Sequence, residues 1–230
     1  MIHEKVVGIL GGMGPLATVD FMRKIIEATH ARTEQDNIRL LIDCNPKVPP
    51  RVEAILHDGA DPGLPMADMA KNLESAGADL LVIACNTAHY YYEVVSKAVH
   101  IPVLDLLKTT AQFLGGKKVP SAMILGTEAL LRTNLYGLAL EKEGVKAILP
   151  DVSCQSALSS AIAAVKTGHL DLAHTYAEQI ARHCKESGAA IAILGCTELP
   201  IAFQGVRCPV PLLDPGLIAA EEIVRLVKGP

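Results

Sequence analysis

The chain has 230 residues, half of them hydrophobic, enough to bury a substantial core as one or two compact domains. A formal charge of −4 with no basic block argues against a nucleic-acid partner, and no apolar stretch reaches membrane-spanning length, since the run from Ile2 to Leu10 is broken by charges and enters a glycine loop. The start lacks the basic, apolar and small-residue order of a signal peptide, so the cytoplasm is the expected location and the six cysteines are expected as reduced thiols.

Lys5 to Leu10 reads as a strand and Pro15 to Arg32 as a helix with proline at its first turn. Ile38 to Cys44 is a second strand, and Leu64 to Ser75 a helix ended by Gly77. Asp79 to Ala84 forms a third strand, Ala88 to Val99 a helix, and Ile101 to Leu104 a short fourth strand. The order then repeats. Ser121 to Leu125 matches the first strand, with a helix around Asn134 to Glu143 and a strand at Lys146 to Leu149. A helix from Leu170 to Glu186 precedes Ala190 to Leu194, the match of the third strand. Pro209 to Leu213 matches Pro102 to Leu106, and a last helix runs from Asp214 to Val227.

Strands alternating with helices imply parallel sheets covered on both faces, and near-continuous apolar runs agree with that. The expected fold is therefore α/β, as two similar doubly wound domains, each with a mainly parallel four-stranded sheet. A pseudo-twofold would relate them and place the active site between them. The expected division is 1–105 plus 214–230 for the domain carrying Cys85, and 106–213 for the domain carrying Cys196.

Ligands in such sheets bind at the carboxyl ends of strands. Cys85 and Cys196 both end apolar runs there, as do Gly11 to Gly14, Asn45 to Arg51 and Gly126-Thr127. A cysteine is commonly a small buried hydrophobe, the role expected for Cys44, Cys154, Cys184 and Cys208. Cys85 and Cys196 differ in standing at predicted helix N-termini, where N–H groups and the helix dipole favour a thiolate. Two thiols from equivalent halves suit removal of a proton from one face of a carbon and return of a proton to the other. Asn86, Thr87 and Thr197, next to these thiols, are residues that can cap helices. No C-x-x-C pair or H-E-x-x-H spacing suggests a metal.

Gly11-Gly12-Met13-Gly14-Pro15-Leu16-Ala17-Thr18, Cys85-Asn86-Thr87-Ala88-His89, Gly195-Cys196-Thr197-Glu198 and Pro211-Leu212-Leu213-Asp214-Pro215 resemble the pyridoxal-phosphate-independent aspartate/glutamate racemase family, its aspartate racemase branch most of all. The resemblance implies a two-base amino-acid racemase that needs no cofactor, acts on a small dicarboxylic amino acid and assembles as a homodimer. It implies that Cys85 deprotonates the D-enantiomer and Cys196 the L-enantiomer. Arg51 would clamp the distal carboxylate, Lys166 would face the site, Asn86, Thr87 and Thr197 would bind the α-carboxylate, and Met13, Gly14 and Thr127 would line the cleft. Glu198, His89 and Asp214 match motif positions too, where capping or packing explains each equally well. One departure stands out: the family's usual Pro-Asp-Arg is here Pro49-Pro50-Arg51. Loss of that acid leaves aspartate as the first substrate, with glutamate or a wider range open.

Other readings compete. Gly12-Met13-Gly14-Pro15-Leu16-Ala17 satisfies a dinucleotide fingerprint, with Asp43 as a ribose acid that lies later than usual, which would make an NAD-dependent oxidoreductase. Decarboxylases, hydantoin racemases and maleate isomerases reuse the fold of the resembled family. A binder of small acids without turnover is a further alternative.

Overall fold

A computed structural model describes residues 4–229; Met1 to His3 and Pro230, assigned above to the first domain, lie outside the described residues. The chain opens with β1 (Val7–Gly11), α1 (Pro15–Thr29), β2 (Leu40–Cys44), α2 (Arg51–Leu56) and α3 (Gly63–Ser75). β3 (Leu80–Ile83) leads through a 3-10 turn (Thr87–Tyr91) into α4 (Tyr92–Lys97), β4 (Val103–Leu104) and α5 (Leu106–Gly116). The second half comprises β5 (Ser121–Leu125), α6 (Glu128–Arg132), α7 (Leu135–Lys142), β6 (Lys146–Ile148), α8 (Val152–Lys166) and α9 (Leu170–Glu186). It closes with β7 (Ile191–Leu194), α10 (Leu199–Ala202), β8 (Leu212–Leu213) and α11 (Pro215–Lys228).

The strands form two four-stranded parallel sheets, in the orders β2-β1-β3-β4 and β6-β5-β7-β8. These are the same order written twice. Corresponding registers match as well, with Leu10 opposite Ile83 in one sheet and Leu125 opposite Leu194 in the other. The central strands β1 and β3 are buried at every position, whereas β2 at the sheet edge is half-buried or exposed throughout.

Two compact units result, one of residues 1–109 and 216–230 and one of residues 110–215. The chain passes between them within α5 and at the start of α11. The first unit's core gathers Leu10, Met66, Leu73, Leu81 and Ile83, and the second's gathers Leu125, Leu158, Ile162, Ile180 and Leu199. In the first unit the Lys5 ammonium donates to the Leu226 carbonyl at 2.9 Å, and Lys228 donates to the Asp36 carbonyl. Both bonds fasten α11 to that unit.

Three sequence expectations are corrected. The helix read over Ala88 to Val99 is a 3-10 turn followed by the short α4. The fourth strand of each sheet keeps only two residues, because Pro102 and Pro211 offer carbonyls to Leu81 and Ala192 but have no N–H to extend a ladder. Helices α2, α5, α6 and α8 have no counterpart in the sequence reading, and the helix expected after Cys196 is the four-residue α10. No helix among the described residues is long and apolar enough to cross a membrane.

Candidate active site

In the first unit, β1 and β3 are neighbours at the point where the strand order reverses, the place where sheets of this kind bind ligands beyond the carboxyl ends of their strands. The loop leaving β1 is fixed by close packing. Gly12 has φ +86°, and a Cβ there would stand 2.4 Å from the backbone N and C of Asn45. Only glycine fits. Thr18, buried in α1, holds the same loop from below: its Oγ1 accepts from the Gly12 N–H and donates to the Gly14 carbonyl, both at 2.9 Å. Thr18 belongs to the quoted glycine motif, yet a threonine inside a helix gave no separate signal of this loop-holding role.

Arg51 opens α2 and reaches back to that loop. Its Nη2 donates to the Met13 carbonyl at 3.1 Å, and its Nη1 donates to the Pro49 and Val48 carbonyls at 3.0 and 3.3 Å. The Arg51 Nε is buried without a hydrogen-bond partner. Carbonyls orient a guanidinium but do not neutralise it, so this cation retains unspent capacity for an anion. Burial pushes the nearby Tyr91 phenol up, Asp61 adds to the rise and Arg51 opposes it. Thus an acid, Asp61, lies in the neighbourhood although Pro50 replaces the one expected in sequence.

Cys85 stands two residues beyond β3 and is 7% exposed. His89 fixes its backbone. The Leu106 N–H donates to Nε2 at 3.1 Å, so the other ring nitrogen carries the proton and Nδ1–H donates to the Cys85 carbonyl at 2.9 Å. Burial holds His89 well below the ordinary imidazole range, against the pull of Asp105. It is a neutral clip between the cysteine and the first residue of α5. Asn86 and Thr87 are buried beside Cys85, and the Asn86 side chain makes no capping bond.

The second unit repeats the arrangement with different contacts. Beyond β5, Gly126 packs so closely on the loop leaving β7 that a Cβ would stand 3.2 Å from the Gly195 carbonyl. Gln155 of α8 donates to the Gly126 carbonyl at 3.2 Å. Thr127 caps α6, its Oγ1 accepting from the Leu130 N–H at 3.2 Å. Cys196 stands two residues beyond β7 and is 6% exposed. Its thiol donates to Glu198 Oε2 at 2.9 Å, and the Thr197 hydroxyl donates to the same oxygen at 3.4 Å. Glu198 occupies the N-cap position of α10, yet its side chain makes no capping bond. Lys166 lies exposed in the last turn of α8, and Asp214 directly precedes α11.

The geometry thus unites Met13, Gly14 and Arg51 at one sheet's carboxyl edge, and Thr127, Cys196 and Thr197 at the other's. It corrects the helix-dipole argument for the thiols, because only a 3-10 turn follows Cys85 and a four-residue helix follows Cys196. It also removes capping as the explanation of the Asn86 and Thr197 side chains.

The Asp/Glu/Hydantoin racemase family model matches residues 10–223, nearly the whole chain. The chain belongs to the Asp/Glu/Hydantoin racemase family. It is a racemase, hence an isomerase. It is similar to the broad specificity amino-acid racemase RacX of Bacillus subtilis (strain 168), with 30% identity over 95% of this chain and 96% of RacX. Among solved structures it resembles the aspartate racemase of Picrophilus torridus, with a TM-score of 0.86 and 28% identity over 96% of this chain and 94% of that one. An aspartate racemase homologue from Pyrococcus horikoshii OT3 gives a TM-score of 0.77 and 26% identity, over 98% of this chain and 100% of that one.

Family membership sets aside the nicotinamide reading of the glycine loop. The racemase buries Cys154 and Cys184 as expected, and burial pushes the Cys154 thiol up to about 12 and the Cys184 thiol higher still, so both stay protonated. The expectation of burial fails for Cys44, which is exposed at the end of edge strand β2, and Cys208 is only half-buried in the loop before β8.

Proposed function

We propose that this racemase interconverts L- and D-aspartate, and a wider set of amino acids more slowly, by a two-base exchange between Cys85 and Cys196. One thiolate removes the Cα proton from one face, and the opposite thiol delivers its proton to the other. Their roles exchange with the hand of the substrate, Cys85 serving the D-enantiomer and Cys196 the L-enantiomer. A thiol and a thiolate are matched acid and base, so neither direction needs a second kind of group. Asn86, Thr87 and Thr197 donate to the α-carboxylate and stabilise the charge that develops there. Arg51 and Lys166 take the side-chain carboxylate, and Met13, Gly14 and Thr127 shape the pocket. Catalysis in this scheme calls for no cofactor.

The observation that carries this reading is the duplication: two sheets of identical strand order, each followed two residues past its third strand by a nearly buried cysteine. The unpaired Nε of Arg51 supports an anionic substrate. Similarity to an aspartate racemase and to a broad specificity racemase supports aspartate first with a range beyond it. Pro50, in place of an orienting acid, supports that breadth.

Incubation with L-aspartate in deuterated water without added cofactor tests the proposal. The α-hydrogen is expected to exchange as optical rotation decays. Cys85→Ser and Cys196→Ser are each expected to abolish racemisation, and full activity in either variant would refute the two-base assignment.

A further inference from the structure

We infer that Glu198 is the positioning residue of Cys196: its carboxylate aims the Cys196 S–H and keeps that thiol protonated between turnovers. The inference rests on the two-thiol reading and deepens it by making the two cysteines unequal. The thiol donates to Oε2 at 2.9 Å, and Glu198 is only 2% exposed. Its other oxygen, Oε1, is buried with no hydrogen-bond partner. Two like charges in contact at such a place are strongly disfavoured, so the pair holds one proton more firmly than an isolated thiol would.

The first unit carries no carboxylate at the matching position. The position matching Glu198 is Thr87, and the buried histidine beside Cys85 is neutral with both ring nitrogens committed to backbone. In the resting racemase Cys196 therefore carries the stored proton, which leaves Cys85 as the base that acts on D-substrate. With D-substrate, the Cys85 thiolate takes the Cα proton. The Cys196 S–H bond breaks as a new Cα–H bond forms, leaving its electron pair on sulfur. That thiolate now faces the Glu198 carboxylate, which makes it a stronger base than an isolated thiolate. It recovers a proton from the Cα of an L-substrate, as Cys85 delivers its own to the other face, or from water, as Cys85 releases its own to solvent.

Ionisable neighbours do not reproduce the effect. Cys154 of α8 and Cys184 of α9 share the core with Cys196 and are uncharged thiols, with Cys208 and Tyr176 at its margin. Tyr136 of α7 turns a ring edge toward Gly195, and Lys166 is exposed. Glu198 is the carboxylate in contact with the sulfur.

Glu198→Gln keeps the shape and removes the charge. In a Cys85→Ser background, the thiolate absorbance of Cys196 is expected to titrate about 1–3 pH units lower in Glu198→Gln than with glutamate present. Glu198→Asp, which retains the charge, is expected to hold the midpoint near its original place and serves if the glutamine variant folds poorly. In the chain with both cysteines, Glu198→Gln is expected to lower kcat/KM about a hundredfold for both enantiomers equally, because their equilibrium constant is unity. A midpoint that stays put or rises in Glu198→Gln overturns the inference. Failure of the two-thiol reading looks different: Cys196→Ser would then keep its racemase activity while the titration still shifts.

Discussion

Replacing His89 tests how the first unit holds its cysteine. The ring is buried and neutral, bonded at one nitrogen to the Cys85 carbonyl and at the other to the Leu106 N–H. His89→Gln breaks this two-point bridge, and a buried backbone group left unsatisfied costs about 1–3 kcal/mol. The native interaction also has a pH signature. Burial lowers the folded-state pKa below the ordinary value of 6.5, so in acid the unfolded chain binds a proton that the folded chain does not. Stability conferred by His89 is therefore complete above that ordinary value and falls as pH drops below it, by up to about 1.4 kcal/mol per pH unit. The loss levels off once the folded ring itself is protonated. Urea unfolding of native protein and His89→Gln, compared at about pH 7.5 and about pH 5.5, isolates this one group, since the other histidines titrate in both and cancel. The native advantage is expected to shrink by up to about 1.4 kcal/mol between the two conditions. An advantage of equal size at both would refute a neutral, backbone-bonded His89.

Gly12→Ala introduces a Cβ into the Asn45 backbone at a positive φ, and should lower stability by about 2 kcal/mol or more in the same unfolding assay while depressing activity. Arg51→Lys removes the fork that binds three carbonyls, so initial-rate kinetics with aspartate should show KM rising more than kcat falls. Limited alkylation followed by peptide mass spectrometry should label exposed Cys44 first among the six cysteines, leaving racemisation unchanged at that stage.

Much of this architecture was legible because fully buried parallel strands announce themselves as apolar runs, as in Leu80–Ile83 and Ile191–Leu194. Their repetition exposed the duplicated plan. The helices that escaped have physical excuses. α8 reads Val-Ser-Cys-Gln-Ser-Ala-Leu-Ser-Ser-Ala-Ile-Ala-Ala-Val-Lys, where small residues blur the contrast between its faces, although Asp151 supplies a real N-cap to Cys154 at 2.7 Å. α2 follows the pair Pro49-Pro50, which favours extended chain, and α5 ends in two glycines. At the site, the thiols and the glycine loop could be seen in the residue order, but the bonds that differentiate them could not. Nothing local says that His89 reaches Leu106, or that Glu198 turns back to a thiol instead of capping its helix. Those choices depend on which groups burial leaves facing each other.

Because α11 bonds to Lys5 and Asp36, the first unit is a split host into which the second is inserted as one unbroken stretch. During synthesis the guest can finish folding while its host still waits for the closing helix, so the half bearing Cys196 is expected to mature ahead of the half bearing Cys85. A chain truncated just before Gly216 should therefore display one protease-resistant body rather than two.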